Sequence, residues 1–203
     1  VFAPAEQPTK YWMYLPALAV LALVIFLQRG RARRVAATRA EMAKRGLDMA
    51  LFSSPENIFY LIGLDHWGYF APHLLLVPAQ GDLTLITRQM EQVVIRNQVR
   101  NATFIGHTDS ETAADVAVKH LNGQCGGLTL GLENWSSGLA YGMGHQLTNQ
   151  IDAQAWQDIT GMLDLMRLVK SPEEIVFMRA AAKAADAGTQ AAIDAVHDGA
   201  LET

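Results

Sequence analysis

The densest set of side chains able to bind or react lies between Leu64 and His73, reading Leu-Asp-His-Trp-Gly-Tyr-Phe-Ala-Pro-His directly after Gly63. Two imidazoles (His66, His73), an indole (Trp67) and a phenol (Tyr69) within ten residues suit a small polar or zwitterionic ligand held by stacking and hydrogen bonds. His66, Trp67, Tyr69 and His73 are therefore the candidate ligand-binding residues. The same residues also admit an architectural reading, in which Trp67, Tyr69 and Phe70 pack a sheet edge and His73 opens a strand.

Other reactive patterns are weaker. Gly126-Gly127 and Gly131 flank a strand, but no glycine-rich turn followed by Lys-Ser/Thr opens a helix, so a phosphate loop is excluded. Gly142-Met143-Gly144-His145 offers two of the three dinucleotide-fold glycines, with no strand leading directly into it. Cys125 is the single cysteine of the chain; it cannot form an intramolecular disulfide and has no His/Asn partner pattern, so it reads as an inert thiol in a reducing compartment. Asn101-Ala102-Thr103 is a glycosylation sequon that matters only on an extracellular face.

Charge sharpens the picture. The 203 residues carry a net −4, but residues 1–45 hold +6 and residues 46–203 hold −10. An acidic body argues against a surface that tracks nucleic-acid phosphates. The basic front contains an apolar run, residues 11–28, with no charge before Arg29. Eighteen residues of helix reach about 27 Å, barely a hydrocarbon core of about 30 Å. Tyr11, Trp12 and Tyr14 form an aromatic end and Arg29, Arg31, Arg33 and Arg34 a basic one, so the run reads as a membrane segment with the body on the cytoplasmic side. The alternatives are an upstream stretch added by a wrong start and a hydrophobic helix packed elsewhere. A secretory signal fits poorly, because its charge should precede the apolar stretch.

From residue 33 the pattern alternates. A helix over 33–45 ends at Gly46, and a strand over 47–52 stops at Ser53-Ser54-Pro55. Ser54 can cap a helix with Pro55 in its first position, running to Gly63. Two apolar runs, 73–78 and 82–87, joined by Ala79-Gln80-Gly81-Asp82, predict a hairpin. Helices over 90–98, 110–121 and 139–148 then alternate with strands over 102–106, 128–131 and 151–156. This predicts an α/β fold with a mixed sheet and helices on both faces. Residues 163–170 read as a connector. Ser171-Pro172-Glu173-Glu174 is a capping box, opening a helix whose stripe, Ile175, Met178, Ala182, Ala185, Ile193 and Val196, must bury against something. The chain starts at Val1 and stops at Thr203 close behind this helix, so it reads as a piece of a longer frame.

Asp48-Met49-Ala50-Leu51, Ser54-Pro55-Glu56-Asn57-Ile58-Phe59-Tyr60-Leu61-Ile62-Gly63, Gly131-Leu132-Glu133, Met166 through Ile175 and Met178-Arg179-Ala180-Ala181 together resemble the creatinase/prolidase family of pita-bread metallopeptidases, which includes Xaa-Pro aminopeptidases. The resemblance covers about residues 34–198. Behind the apolar segment and its basic flank (1–33), it implies the family's amino-terminal α/β domain (34–165) and a connector with the first helix of a truncated catalytic domain (166–203).

The resemblance implies chemistry elsewhere. The family's divalent metal pair (Mn, Co or Zn) is held by two Asp, one His and two Glu deep in the catalytic domain. Here Asp186, Asp194, His197, Asp198 and Glu202 sit on or just past one helix without the family's strand contexts. No catalytic residue, metal ligand or cofactor is expected in this chain. It also implies a homodimer through the amino-terminal domain, whose loop, matching residues 64–73, reaches a neighbouring subunit's active-site mouth, and a small peptide or amide substrate for the parent protein. Two functions follow: the accessory and oligomerisation domain of a metal-dependent Xaa-Pro peptidase or related C–N hydrolase, or a stand-alone, membrane-tethered α/β binding or dimerisation module without catalysis.

Overall fold

A computed structural model describes residues 15–65, 71–197 and 199, with side chains from residue 30 onward. The chain forms two compact units, Val1–Gly161 and Met162–Thr203.

The first unit opens with α1, Leu15–Lys44, and continues with β1 (Met49–Phe52), α2 (Pro55–Ile62), β2 (Leu74–Pro78) and β3 (Leu83–Arg88). A short 3-10 turn, Gln89–Glu91, leads into α3 (Gln92–Gln98), β4 (Ala102–His107), α4 (Ala113–Leu121), β5 (Thr129–Leu132), α5 (Tyr141–Gln150) and β6 (Ala155–Asp158). The strands form one mixed sheet in the order β4-β3-β2-β1-β5-β6. Only β2 runs antiparallel to its neighbours; β3 with β4, β1 with β5, and β5 with β6 pair in parallel. The carboxyl ends of five strands therefore share one edge with the amino end of β2.

The central strands β3, β2, β1 and β5 are buried on both faces, as expected of strands covered by helices on each side. On one, Leu51, Leu74, Leu76, Ile86, Leu130 and Leu132 pack with α4 and α5 through Ala113, Ala117, Leu121, Met143 and Leu147. On the other, Ala50, Phe52, Leu75, Val77 and Leu85 are equally buried, as are Met42 of α1 and Ile58, Leu61 and Ile62 of α2. Arg39 ties α1 to the β2–β3 turn, its Nε donating to Pro78 O at 3.0 Å and its Nη2 to Gly81 O.

Several boundaries move from the sequence reading. The helix expected over 33–45 is the second half of one continuous α1; no proline interrupts it after Pro16, and a single interior glycine, Gly30, costs only about 1 kcal/mol relative to alanine. The span expected over 11–28 begins at 11–14, outside the described residues, and side chains are not described before residue 30; among the described residues no helix is long and apolar enough to cross a membrane. The strand expected at 151–156 begins four residues later. Ile151 ends α5, its N–H donating to Leu147 O, and the ladder to β5 starts at Ala155. Helix α4 starts at Ala113 rather than Ser110 because Thr112 is its cap, in a capping box with Asp115.

In the second unit, residues 163–168 of the expected connector are helical, within α6 (Met162–Leu168), and α7 (Pro172–Ala195) follows. The capping box is formed: Ser171 Oγ accepts from Glu174 N at 3.2 Å, and Glu174 Oε2 accepts from Ser171 N at 2.8 Å. Helix α7 has no buried residue; Met178, Ile193 and Val196 of the expected apolar stripe are exposed.

Candidate functional site

The shared carboxyl edge is where an open α/β sheet offers ligands its loops. Here it is organised by one buried carboxylate, Glu133, at the end of β5. Its Oε2 accepts from the backbone N–H groups of Ser53 (3.0 Å) and Ser54 (2.9 Å), where β1 ends. Its Oε1 accepts from Asn57 Nδ2 at 2.5 Å. Asn57, in the first turn of α2, is also buried, and Ser54 Oγ caps that turn by accepting from Asn57 N at 3.3 Å. One side chain thus joins β5, the end of β1 and the start of α2 across 76 to 80 residues of sequence.

The loop after Glu133 is pinned the same way. Trp135 N donates to Thr160 Oγ1 at 3.1 Å, and Thr160 donates to Asp158 Oδ1 through its N–H at 2.9 Å and its hydroxyl at 2.5 Å. Burial pushes the Asp158 carboxyl up, but hydrogen bonds from Thr160 and Asn134 outweigh it and hold the group below its ordinary value. Gly138 lies so close to β1 that a Cβ there would sit 2.0 Å from Ser53 O.

The segment between α2 and β2 is anchored at both ends. Helix α2 stops at Gly63, whose left-handed φ of 72° favours glycine. Next, the Gln98 side chain clamps Asp65: Asp65 N donates to Gln98 Oε1 and Gln98 Nε2 donates to Asp65 O, both at 2.6 Å. At the far end His73 is 1% exposed. Its Nδ1 lies 2.8 Å from Ala71 O; a carbonyl only accepts, so Nδ1 carries the proton. Continuing the β2–β3 register, in which Leu74 pairs with Ile86, His73 stands beside Thr87. His73 is thus interior and immediately precedes β2. His66, Trp67 and Tyr69 lie outside the described residues.

Among the described residues no group of three or more His, Cys, Asp and Glu could hold a metal ion. Asp186 and Asp194 are eight residues apart on α7, about 12 Å along its axis at 1.5 Å per residue, too far to share an ion. His197 follows the helix, and Asp198 and Glu202 are outside the described residues. Among the described residues the donors do not fit a two-metal centre.

A shallow recess of about 340 Å³ between α4 and α5 is lined by Glu111, Asp115, Lys119 and Gln146. Its polar groups already serve one another: Gln146 Nε2 donates to Asp115 Oδ1 at 2.7 Å, and Lys119 pairs with Glu111.

Residues 34–169 match the creatinase/prolidase N-terminal domain. The chain belongs to that family. An uncharacterized peptidase of Staphylococcus haemolyticus is 30% identical over 139 residues, which are 68% of this chain and 37% of that protein. The chain spans less than half the length of the curated relatives it matches. The Thermococcus sibiricus prolidase superposes with a TM-score of 0.68 at 21% identity, over 83% of this chain and 45% of that one. The separately crystallised creatinase/prolidase N-terminal domain of an X-Pro dipeptidase from Streptococcus pyogenes superposes with a TM-score of 0.55 at 20% identity, covering 66% of this chain and 98% of that one. These likenesses establish the fold.

Glu133 and Asn57 are the residues whose role sequence reasoning missed. Both stand in the segments that carry the family resemblance, and the one signal in the sequence was a carboxylate directly after the apolar Leu130-Gly131-Leu132.

Proposed function

We propose that this chain is the amino-terminal accessory and oligomerisation domain of a metal-dependent Xaa-Pro peptidase or related C–N hydrolase, with catalysis carried by a further domain of the parent protein. The observation that carries this reading is the family match over residues 34–169 in a chain whose described residues contain no metal-ligand set. The domain acts as a homodimer and lends the segment after α2 to substrate binding. Supporting this role, the segment's ends are fixed by the Gln98 clamp and by the buried His73, which limits the entropy lost when a ligand is gripped between them. His66, Trp67 and Tyr69 supply the stacking and hydrogen-bonding groups. The uncharged run 11–28 and its arginine flank tether the domain to the cytoplasmic face of a membrane.

The test uses an active parent protein carrying this domain. Trp67→Ala and His66→Ala are expected to raise KM for an Xaa-Pro dipeptide several-fold while the metal content of the enzyme stays unchanged. Unaltered KM in both variants would remove the segment from substrate binding. Membrane fractionation of residues 1–203 against 34–203 tests the tether: only the longer product should sediment with membranes.

A further inference from the structure

Just past the uncharged run, α1 meets the carboxyl ends of α2 and α3 at a group of arginines. Arg31 is half-buried. Its Nη1 donates to Gln98 O, at the end of α3, at 3.4 Å, and its guanidinium lies so close over Gly63 that a Cβ there would overlap it. Arg100 is exposed, and its Nη1 donates to Val99 O at 3.2 Å and to Arg96 O. The two guanidiniums thus hold consecutive carbonyls, those of Gln98 and Val99. Arg34 stands beside them, donating to Tyr60 O at 3.1 Å with its Cζ 4.7 Å from the centre of the Tyr60 ring.

These contacts do not balance the charge. The end of α3 offers about half a negative unit against the two guanidiniums of Arg31 and Arg100, which leaves an excess of about 1.5 positive units. Burial first, then the charges of Arg34 and Arg100, hold the Arg31 guanidinium below its ordinary value, and no carboxylate is among the groups that act on it. Asp65, brought near by the Gln98 clamp, makes no ion pair with Arg31 or Arg100 among the described residues. A guanidinium carries five N–H donors in a planar fork; Arg31 gives one of them to the protein and Arg100 two.

From this convergence we infer that Arg31 and Arg100, with Arg34 adding to their field, bind a phosphate group, and that an anionic lipid headgroup carries it. A phosphate fits both the excess charge and the fork, which pairs two N–H groups with two phosphate oxygens. Depth selects the lipid over a free anion. Arg31 lies three residues beyond Gln28, the last residue of the run, about 4.5 Å along the helix, and α1 is unbroken between them. The headgroup layer is about 5–7 Å deep on each side of the hydrocarbon core. With the run in the core, Arg31 stands at phosphate depth, and the end of α3 that it holds brings Arg100 to the same level. A zwitterionic headgroup would carry its own cation into this positive field, so the site selects against it. The inference rests on the membrane tether of the proposed function and deepens it by naming the lipid chemistry.

The test follows the melting temperature of the full chain in a neutral detergent while short-chain phosphatidylglycerol is titrated in. It should rise by several degrees, whereas short-chain phosphatidylcholine leaves it unchanged and inorganic phosphate at the same concentration gives a smaller rise. Arg31→Gln and Arg100→Gln should each raise the half-saturating lipid concentration about five-fold, the share of one basic residue at a membrane surface. Arg100 is exposed, so its variant decides if Arg31→Gln shows no melting transition of its own. No rise with phosphatidylglycerol, an equal rise with phosphatidylcholine, or half-saturation unchanged in the folded variants would overturn the inference, and an equal rise with inorganic phosphate would overturn the lipid assignment. Pelleting with neutral phosphatidylcholine vesicles separates this from the tether. A chain that pellets but shows no phosphatidylglycerol shift overturns the inference alone; one that shifts without pelleting overturns the tether and leaves the phosphate site standing.

Discussion

Replacing Glu133 by Gln keeps volume and shape and removes the charge at the junction of β1, α2 and β5. The carboxylate serves three donors with two oxygens: Ser53 N and Ser54 N on Oε2 and Asn57 Nδ2 on Oε1. An amide has one oxygen. If that oxygen stays with the backbone N–H groups, the new NH2 faces Asn57 Nδ2, donor against donor; the reverse orphans two backbone donors. The cheaper arrangement loses the charge assistance of two hydrogen bonds and strands one buried donor, which together cost about 2–4 kcal/mol. Against a total of about 5–15 kcal/mol for a typical domain, that is a large share. At about 4 °C per kcal/mol for a domain of this size, the melting temperature followed by circular dichroism should fall by about 8–16 °C. Adding Asn57→Asp gives the introduced amide NH2 an acceptor and moves the charge into the first turn of α2, where the helix dipole favours it; the double variant should recover at least half the loss. Glu133→Gln within about 0.5 kcal/mol of the parent chain, the scatter of ordinary surface substitutions, would refute the reasoning.

Three further outcomes follow from the same geometry. Gly138→Ala places a methyl 2.0 Å from Ser53 O, which backbone cannot yield cheaply, so urea unfolding should show a loss of about 1–3 kcal/mol; an unchanged midpoint would mean the loop is not pinned against β1. The Asp115 carboxyl is held below its ordinary value by the Gln146 side chain, then by the Thr112 N–H and hydroxyl. Its stabilising contribution is thus present above the unfolded-state pKa and lost as pH falls through the folded one. Gln146→Leu should move its NMR titration midpoint upward, and an unmoved midpoint would remove Gln146 as the cause. Burial pushes the Cys125 thiol up, so a disulfide reagent at about pH 8, below the ordinary thiol range, should label it only after unfolding, and rapid labelling of the native chain would contradict that burial.

Local chemistry was legible before the fold was. Ser54, Pro55 and Gly63 bracket α2 because cap, first-turn proline and left-handed glycine each act within a few residues, and the Ser171 capping box and the β2–β3 hairpin are read the same way. What failed depends on competition or distance. Ile151 could open a strand or close α5, and the α5 hydrogen bond to Leu147 O wins. Leu163 to Leu168 looked like a connector but carries enough helix formers to become α6. Glu133 was visible only as part of a motif, because its partners lie 76 to 80 residues away and no periodicity reports that pairing. At the candidate site, sequence composition picked out His66, Trp67, Tyr69 and His73 as chemically suited, but could not tell that His73 is an interior anchor. Nor could it show that Gln98, on α3, clamps the segment's other end.

We propose that this domain serves a metallohydrolase without holding its chemistry. Titrating Mn²⁺ into the chain by calorimetry, with Xaa-Pro dipeptide hydrolysis assayed on the same sample, tests it most directly. Residues 1–203 should show neither stoichiometric metal binding nor turnover, and a parent protein that adds the metal-ligating domain should show both. One Mn²⁺ or more bound per chain, with hydrolysis of the dipeptide by residues 1–203 alone, would contradict it.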